Sequence, residues 1–391
     1  MRVLFITGEY PPMQGGVGDC TNEIAQGLAA LGAEVRVLTS TQAGAHHVSR
    51  ITVLPVIARW GWSSLRAIKN AAREFAPDII HIQYQTGAFG MHPAIDFLPR
   101  YLHWQKAIRV RVVTTFHDLR VPYLFPKAGR MREWVTRQLA RSSDAVIATN
   151  GEDYLRLLTF NLNLLILIPI GSNIPTTPPP NYRRDSWRRQ FGVAEDEMLL
   201  CYFGFLNESK GGETLVRALA QIQDAKLLMI GGQVGASDLT NAAYLAKVKT
   251  LIAELGLTDR VLWTDYTPPE IVTANFLASD ICVLPYRDGA SYRRGTLMAA
   301  LAHGMTIVTT TPRDVEARHA SPLPPLRDDA NCLLVPPDDP TALASAIQRA
   351  AATPELRARI SVGARELAQH FSWDKIARQH LELYERMASS R

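Results

Sequence analysis

Two arginines, a glycine and a threonine stand together at Arg293-Arg294-Gly295-Thr296, just behind Ser291 and Tyr292. They open an apolar stretch, Thr296 to His303, that reads as a helix. Guanidinium forks, free first-turn amides and a hydroxyl at a helix N-terminus are what phosphate oxygens bind. The rival reading is a solvated charge pair on a surface turn. It leaves bare cations opposing the helix dipole, so an anion belongs there. Another cation, Lys210, lies in the turn Gly204–Gly211 (GFLNESKG) between an apolar run and a helical pattern. A lysine beside helix-end amides suits a diphosphate whose charge grows as it departs. Lys210 is therefore a catalytic candidate, and Ser291, Arg293, Arg294, Gly295 and Thr296 are candidates for binding phosphate.

The first half offers two more groups. Gly15-Gly16-Val17-Gly18 follows the apolar run Val3–Thr7 and precedes an amphipathic stretch ending at Leu31. Glycines there let backbone amides approach a ligand, so Gly15, Gly16 and Gly18 join these phosphate-binding candidates; the plain alternative is a tight turn. The spacing is not the G-x-G-x-x-G of a dinucleotide fold. His117 follows the run Val110–Phe116, with Asp118 beside it to orient the ring. A histidine at a buried strand's carboxyl end points where open α/β sheets bind ligands, which makes His117 the second catalytic candidate. His81, inside a strand, reads as core or as support for the site.

These residues need elements to hold them. Short apolar runs, including 3–7, 35–39, 78–82, 110–116 and 145–149, alternate with helical patterns. The alternation resumes with runs at 198–204, 226–232, 260–264, 280–285, 306–310 and 332–336. Strands buried on both faces of a parallel sheet, with helical crossovers, read this way. The segment Ile174–Tyr182 (IPTTPPPNY) interrupts the pattern with three consecutive prolines, an extended spacer. The fold expected is α/β: two doubly wound, Rossmann-like domains facing across a cleft. The first spans residues 1–175, the second 183–371, and a terminal helix covers 372–391.

Composition excludes other classes. With 47% apolar and 20% charged residues the chain is neither disordered nor a coiled coil. Four cysteines without a Cys-x-x-Cys spacing exclude a disulfide scaffold or zinc ribbon and suit the cytoplasm. No apolar run approaches the ~20 residues of a membrane span, and the opening MRVLFIT reads as a buried strand rather than a signal peptide. Residues 1–180 carry 18 basic and 12 acidic side chains, against 24 and 25 beyond. That imbalance favours an anionic partner for the first half over a nucleic acid. On the stretch 127–141, Lys127, Arg130, Trp134, Arg137 and Arg141 share one helical face, with Met131, Val135 and Leu139 expected against the sheet. The stripe fits an anionic membrane surface; its plain alternative is a solvated face.

Several motifs, in this order, resemble the family-four (group 1) retaining glycosyltransferases of GT-B fold. They are GGVG at 15–18, Pro77-Asp78-Ile79-Ile80-His81, His117-Asp118 and the turn ending in Lys210. Ala302-His303-Gly304, Asn331-Cys332-Leu333-Leu334-Val335-Pro336 and Phe371-Ser372-Trp373 complete the series. The resemblance spans nearly the whole chain. It implies a nucleoside-diphosphate sugar donor, front-face transfer, a His117 near the donor sugar and a terminal helix crossing back to the first domain. Two departures accompany it. The family's phosphate-binding arginine falls on Phe205, and its Glu-x7-Glu pair on Ser291 and Ala299. The expectation is a metal-independent transferase without cofactor, since Asp-x-Asp is absent and Asp328-Asp329 and Asp338-Asp339 lie in turns. A non-catalytic nucleotide-binding relative and a GT-B nucleotide-sugar epimerase are the alternatives. Donor base, sugar and acceptor are not legible.

Overall fold

The structure, a computed structural model, describes residues 1–13, 15–104, 110–119, 129–194, 196–233, 239–313 and 322–389. It divides into two units. Unit one comprises Met1–Gly171 and the chain from Ser372 onward; unit two comprises Ser172–Val315 and Leu323–Phe371.

Unit one is built on β1 (Arg2–Thr7), β2 (Glu34–Ser40), β3 (His46–Val48), β4 (Ile51–Ile57), β5 (Ile79–Tyr84), β6 (Arg111–Phe116), β7 (Ala145–Ala148) and β8 (Leu165–Leu167). The sheet order is β3-β4-β2-β1-β5-β6-β7-β8, parallel except for the β3 edge. Alternate residues feed two cores. Leu4, Ile6, Ile80, Ile82 and Val112 pack among the helices Ser64–Phe75, Leu98–Trp104 and Gly129–Ser142. Val3, Phe5, Val35, Ile79 and Val113 pack on the other face. There the helix Gly16–Ala30 meets the terminal helix Trp373–Ser389. The terminal helix buries Ile376, His380, Leu383, Tyr384 and Met387, the stripe of one amphipathic face. Its close approach needs Gly27, where a Cβ would stand 2.5 Å from that of Ala377.

Strands β3 and β4 are additions to the sequence reading. Pro55 inside β4 argues against a strand, because proline gives no ladder donor. It is tolerated here because β3 pairs only with Ile51–Val53 and the register to β2 shifts between Thr39 and Ser40.

Unit two has β9 (Met198–Phe203), β10 (Ala225–Ile230), β11 (Val261–Trp263), β12 (Ile281–Leu284), β13 (Thr306–Thr310) and β14 (Leu333–Val335). Their order is β11-β10-β9-β12-β13-β14, all parallel. Pro175 already belongs to this unit, its carbonyl accepting from Thr273 Oγ1. In each sheet the strand order reverses once, between β1 and β5 and between β9 and β12. Loops leaving the carboxyl ends there are where ligands bind in such sheets.

Candidate functional site

In unit two the loops after β9 and β12 lock together. Gly204 leaves β9 with φ of +113°, and a Cβ there would stand 2.7 Å from Thr296 Cγ2 and 3.0 Å from Lys210 Nζ. Gly211 (φ +70°) closes the short turn Glu208–Lys210, and its Cα is so close to β12's exit that a Cβ would lie 1.9 Å from the Pro285 carbonyl oxygen. The Arg287 amide donates to Ser209 O at 2.9 Å across the same seam. Lys210 and Arg294 thus come together from opposite loops.

Arg294 reaches both oxygens of Asp288 at 2.6 Å, donates to Ser209 Oγ at 3.4 Å and lies 5.0 Å over the Tyr286 ring. Arg293 donates to the same carboxylate at 2.9 Å. One aspartate therefore holds two arginines. The Lys210 amide donates to Asn207 O at 3.0 Å, but its ammonium has no ion pair and no hydrogen bond among the described residues. Burial, and then the neighbouring Arg294 cation, push its pKa down to about 8. Thr296 Oγ1 pairs with Tyr286 Oη at 2.6 Å, and the helix Gly295–Ala302 starts without a side-chain cap. Its first-turn amides add donors beside Lys210 and Arg294; Asp288 holds the arginine, and no acid reaches the Lys210 ammonium among the described residues.

Ser291 is buried, with its Oγ 3.4 Å from the Arg293 amide. Ala299 is wholly buried in the helix's core face. Phe205 is exposed, and its ring covers Gly232, where a Cβ would meet Cε1 at 2.7 Å. Sequence reasoning passed over Asp288, whose signal is an acid five and six residues before the arginine pair.

In unit one the glycine turn already holds a carboxylate. Glu9 Oε1 accepts from the amides of Val17 (3.0 Å) and Gly18 (3.2 Å). A Cβ on Gly15 would stand 2.1 Å from that oxygen, while Gly16 has open space around it. Burial raises the Glu9 pKa against the two amides that lower it. The amides that hold this acid are those of Val17 and Gly18; Gly15 leaves it room and Gly16 is open.

His117 sits beyond β6 with Nε2 2.6 Å from Gln83 Oε1, at the end of β5. Gln83, rather than Asp118, holds the ring; successive residues leaving a strand point to opposite sides. Asp118 instead lines a small cavity of about 10 Å³ with Tyr84, Arg132 and Arg156. Behind Gln83, His81 bonds Thr115 Oγ1 at 2.7 Å and Tyr384 Oη at 2.5 Å. Burial, then the His380 ring, push the His117 pKa down to about 4, so it is neutral at pH 7.

The basic stripe is only partly free. Arg130 and Trp134 are exposed, but Arg137 lies 4.8 Å over the Phe160 ring and Arg141 Nε donates to Phe160 O at 2.9 Å. Met131, expected against the sheet, is 68% exposed; Leu139 is buried as expected, and Thr136 and Ala140 turn inward with it. Lys127 lies outside the described residues. Among those described, no helix is long and apolar enough to cross a membrane.

The comparisons with known proteins agree with this layout. A family model described as a glycosyl transferase 4-like domain matches residues 15–162, and one described as glycosyl transferases group 1 matches residues 197–353. The chain belongs to this family of group 1, family-four glycosyltransferases; it is a transferase enzyme of GT-B fold. Among curated relatives, the D-inositol 3-phosphate glycosyltransferase of Corynebacterium diphtheriae is 25% identical, over 98% of this chain and 94% of the relative. Its counterpart in Xylanimonas cellulosilytica is 27% identical over 63% of this chain, and the match spans 58% of that protein's length. Two solved structures share the fold. Sucrose-phosphate synthase from Thermosynechococcus elongatus has a TM-score of 0.77 at 24% identity, with 100% of each chain covered. Anabaena Alr3699/HepE in complex with UDP and glucose has 0.76 at 20%, covering 98% of this chain and 99% of that one.

Proposed function

We propose that the protein is a retaining glycosyltransferase moving a sugar from a nucleoside-diphosphate donor to an acceptor hydroxyl. The observation that carries this is Lys210: a cation held beside Arg294, desolvated, and lacking an anion among the described residues. Such a site is costly until a dianion fills it, and it favours the anion most as charge builds on the leaving diphosphate. The C1–O bond to the diphosphate breaks, the acceptor oxygen bonds C1 on the same face, and the acceptor's proton passes to the departing phosphate. Lys210, Arg294 and the amides of Gly295 and Thr296 take the charge-stabilising part that a metal has in other transferases. Ser291 and Arg293 complete the donor-binding set of unit two, and His117 of unit one is assigned to the donor sugar. UDP in a structure of the same fold supports the donor class.

The protein works in the cytoplasm against an anionic bilayer, which Arg130 and Trp134 meet first, with Arg137 and Arg141 further along the same helix. The test is release of nucleoside diphosphate from a panel of nucleotide sugars, UDP-glucose among them, with D-inositol 3-phosphate as one acceptor. Turnover that persists in excess chelator, with the product's anomeric configuration kept, is expected. An inverted product, or activity abolished by chelator and restored by Mg²⁺, overturns the reading.

A further inference from the structure

The strands β11, β10 and β9 of unit two lie side by side and parallel, so the loops after them leave from one edge of the sheet. Two of those loops expose an aromatic ring. Phe205, after β9, is 39% exposed, and Tyr266, after β11, is 66% exposed. Neither ring meets another ring or a cation among the described residues. Gly231 and Gly232 follow β10 between them and leave bare backbone there.

Hydrogen bonds tie the three loops into one strip. The Gly204 amide donates to Ile230 O at 3.0 Å, the Leu206 amide to Gln233 O at 3.3 Å and the Gly231 amide to Thr264 Oγ1 at 3.0 Å. Gly231 also forms a β-bridge with Asp265, next to Tyr266. Phe205 rests on Gly232, where a Cβ would stand 2.7 Å from its Cε1, so glycine is what lets the ring lie there. Its own carbonyl accepts from Tyr202 Oη at 3.2 Å. The strip begins at charge: Gly204, the neighbour of Phe205, is the glycine whose Cβ would stand 3.0 Å from Lys210 Nζ. Arg294 approaches Lys210 from the β12 side, and the strip leads away from it, toward β10 and β11. At about 4.8 Å between strands it covers about 10 Å, room for a ribose and its base.

A single exposed ring is ordinary on a protein surface. Two rings on either side of bare backbone, beginning at an ammonium without an anion, have the makings of a ligand site. We propose that Phe205, with Tyr266 across the glycine strip, is the platform on which the nucleobase of the donor stacks, beside the diphosphate held by Lys210. The identity of the ligand rests on the transferase reading. With its phosphates at Lys210 and Arg294, the nucleoside runs along the strip and meets two aromatic faces. The polar side chains there, Gln233 and Asp265, bond to each other. A nucleobase stacks on such faces, whereas a pyranose with its rim of hydroxyls needs polar partners. Stacking engages the face of a base and not its edge. The platform therefore separates nucleoside diphosphates from inorganic diphosphate more than it separates one base from another.

The test is titration calorimetry of the full chain with UDP, ADP and GDP, and with inorganic pyrophosphate as the probe that has no base. Phe205→Ala is expected to weaken the tightest-bound nucleoside diphosphate about tenfold, the loss of a stacked base, and to leave pyrophosphate unchanged. Tyr266→Ala follows the same pattern by a smaller factor, and Phe205→Tyr, which keeps the ring, binds as the parent does. Lys210→Ala weakens both kinds of ligand, so the variants separate ring from charge. The Phe205 side chain is exposed, and unchanged pyrophosphate binding verifies in the same experiment that the site is folded. Parent-like nucleoside diphosphate affinity in Phe205→Ala overturns the proposal, as does an equal loss of pyrophosphate. A loss confined to the nucleotide sugar, with the free nucleoside diphosphate unaffected, puts the sugar on the ring and overturns it as well. Base-dependent binding through Phe205 in a protein that transfers no sugar upholds the platform and defeats the transferase reading alone.

Discussion

Lys210 and His117 each follow a buried parallel strand, and burial lowers the pKa of both, yet the outcomes are opposite. Lys210 drops to about 8 and remains a cation at neutral pH; His117 drops to about 4 and is neutral. The difference begins in the ordinary pKa values, near 10.5 and 6.5. A comparable desolvation leaves one group charged and strips the other of charge. Their surroundings follow suit. Unit two sets Arg294 beside its cation, and Asp288 pairs with Arg294 and Arg293. Unit one surrounds its neutral ring with Gln83, Thr115, His81 and Tyr384, and fills the one anion cradle nearby with Glu9. The first arrangement suits electrostatic stabilisation, the second directional recognition of hydroxyls.

The division can be broken most directly at Lys210. Lys210→Ala is expected to lower turnover by about 10²–10³, the scale of one preorganised charge stabiliser, while His117→Ala leaves UDP affinity unchanged. Calorimetric binding beside steady-state kinetics checks both, and equal losses of UDP affinity in the two variants would erase the contrast. Arg294→Ala should weaken nucleoside diphosphate binding by about 1.5–3 kcal/mol, a charge-assisted hydrogen bond's worth, read by titration calorimetry.

Protonation separates the units further. Diphosphate favours charged Lys210, so affinity should decline above about pH 8, by up to tenfold per pH unit, with proton uptake on binding. Calorimetry in buffers of different ionisation enthalpy measures that proton, and Lys210→Arg should abolish the uptake. In unit one the sign is the reverse of a salt bridge. His81, His117 and His380 have folded pKa values below the unfolded 6.5, so their unfolded forms bind more protons in acid. The neutral rings' contribution is intact above pH 6.5 and is lost as pH falls toward about 4. Each ring contributes a slope of at most about 1.4 kcal/mol per pH unit. Urea unfolding from pH 7 to 5 should show that slope, and His380→Gln should make it shallower by one proton.

The smallest effect expected is at the membrane face, where each cation contributes about 1 kcal/mol near an anionic surface. Arg137→Glu with Arg141→Glu should reduce co-sedimentation with anionic vesicles at low salt and leave neutral vesicles unaffected. Because both arginines lean on Phe160, Arg130→Glu should have at least as large an effect.

The amino-acid sequence by itself determined what depends on neighbours along the chain. Alternating apolar runs and helical patterns specify a parallel α/β architecture, because a strand buried on both faces is continuously apolar and its crossover helix is amphipathic. Positive-φ glycines such as Gly204 and Gly211 mark turns for the same local reason. The order of motifs identified the family, and the spacing of Lys210 and Arg294 pointed to an anion. Only the tertiary structure decided which groups face one another. Asp288 grips both arginines through a turn whose path the spacing leaves open. Glu9 fills the glycine cradle because a long loop folds back on it, and Met131 is exposed because the helix Gly129–Ser142 is rotated relative to its apolar spacing. Pro55 lies within a strand because a register shift accommodates it. Most remote of all is the partner of His81, a tyrosine 303 residues beyond it in sequence and brought to it by packing of the terminal helix. A hydrogen bond acts over about 3 Å, and folding alone brings such distant positions within that range.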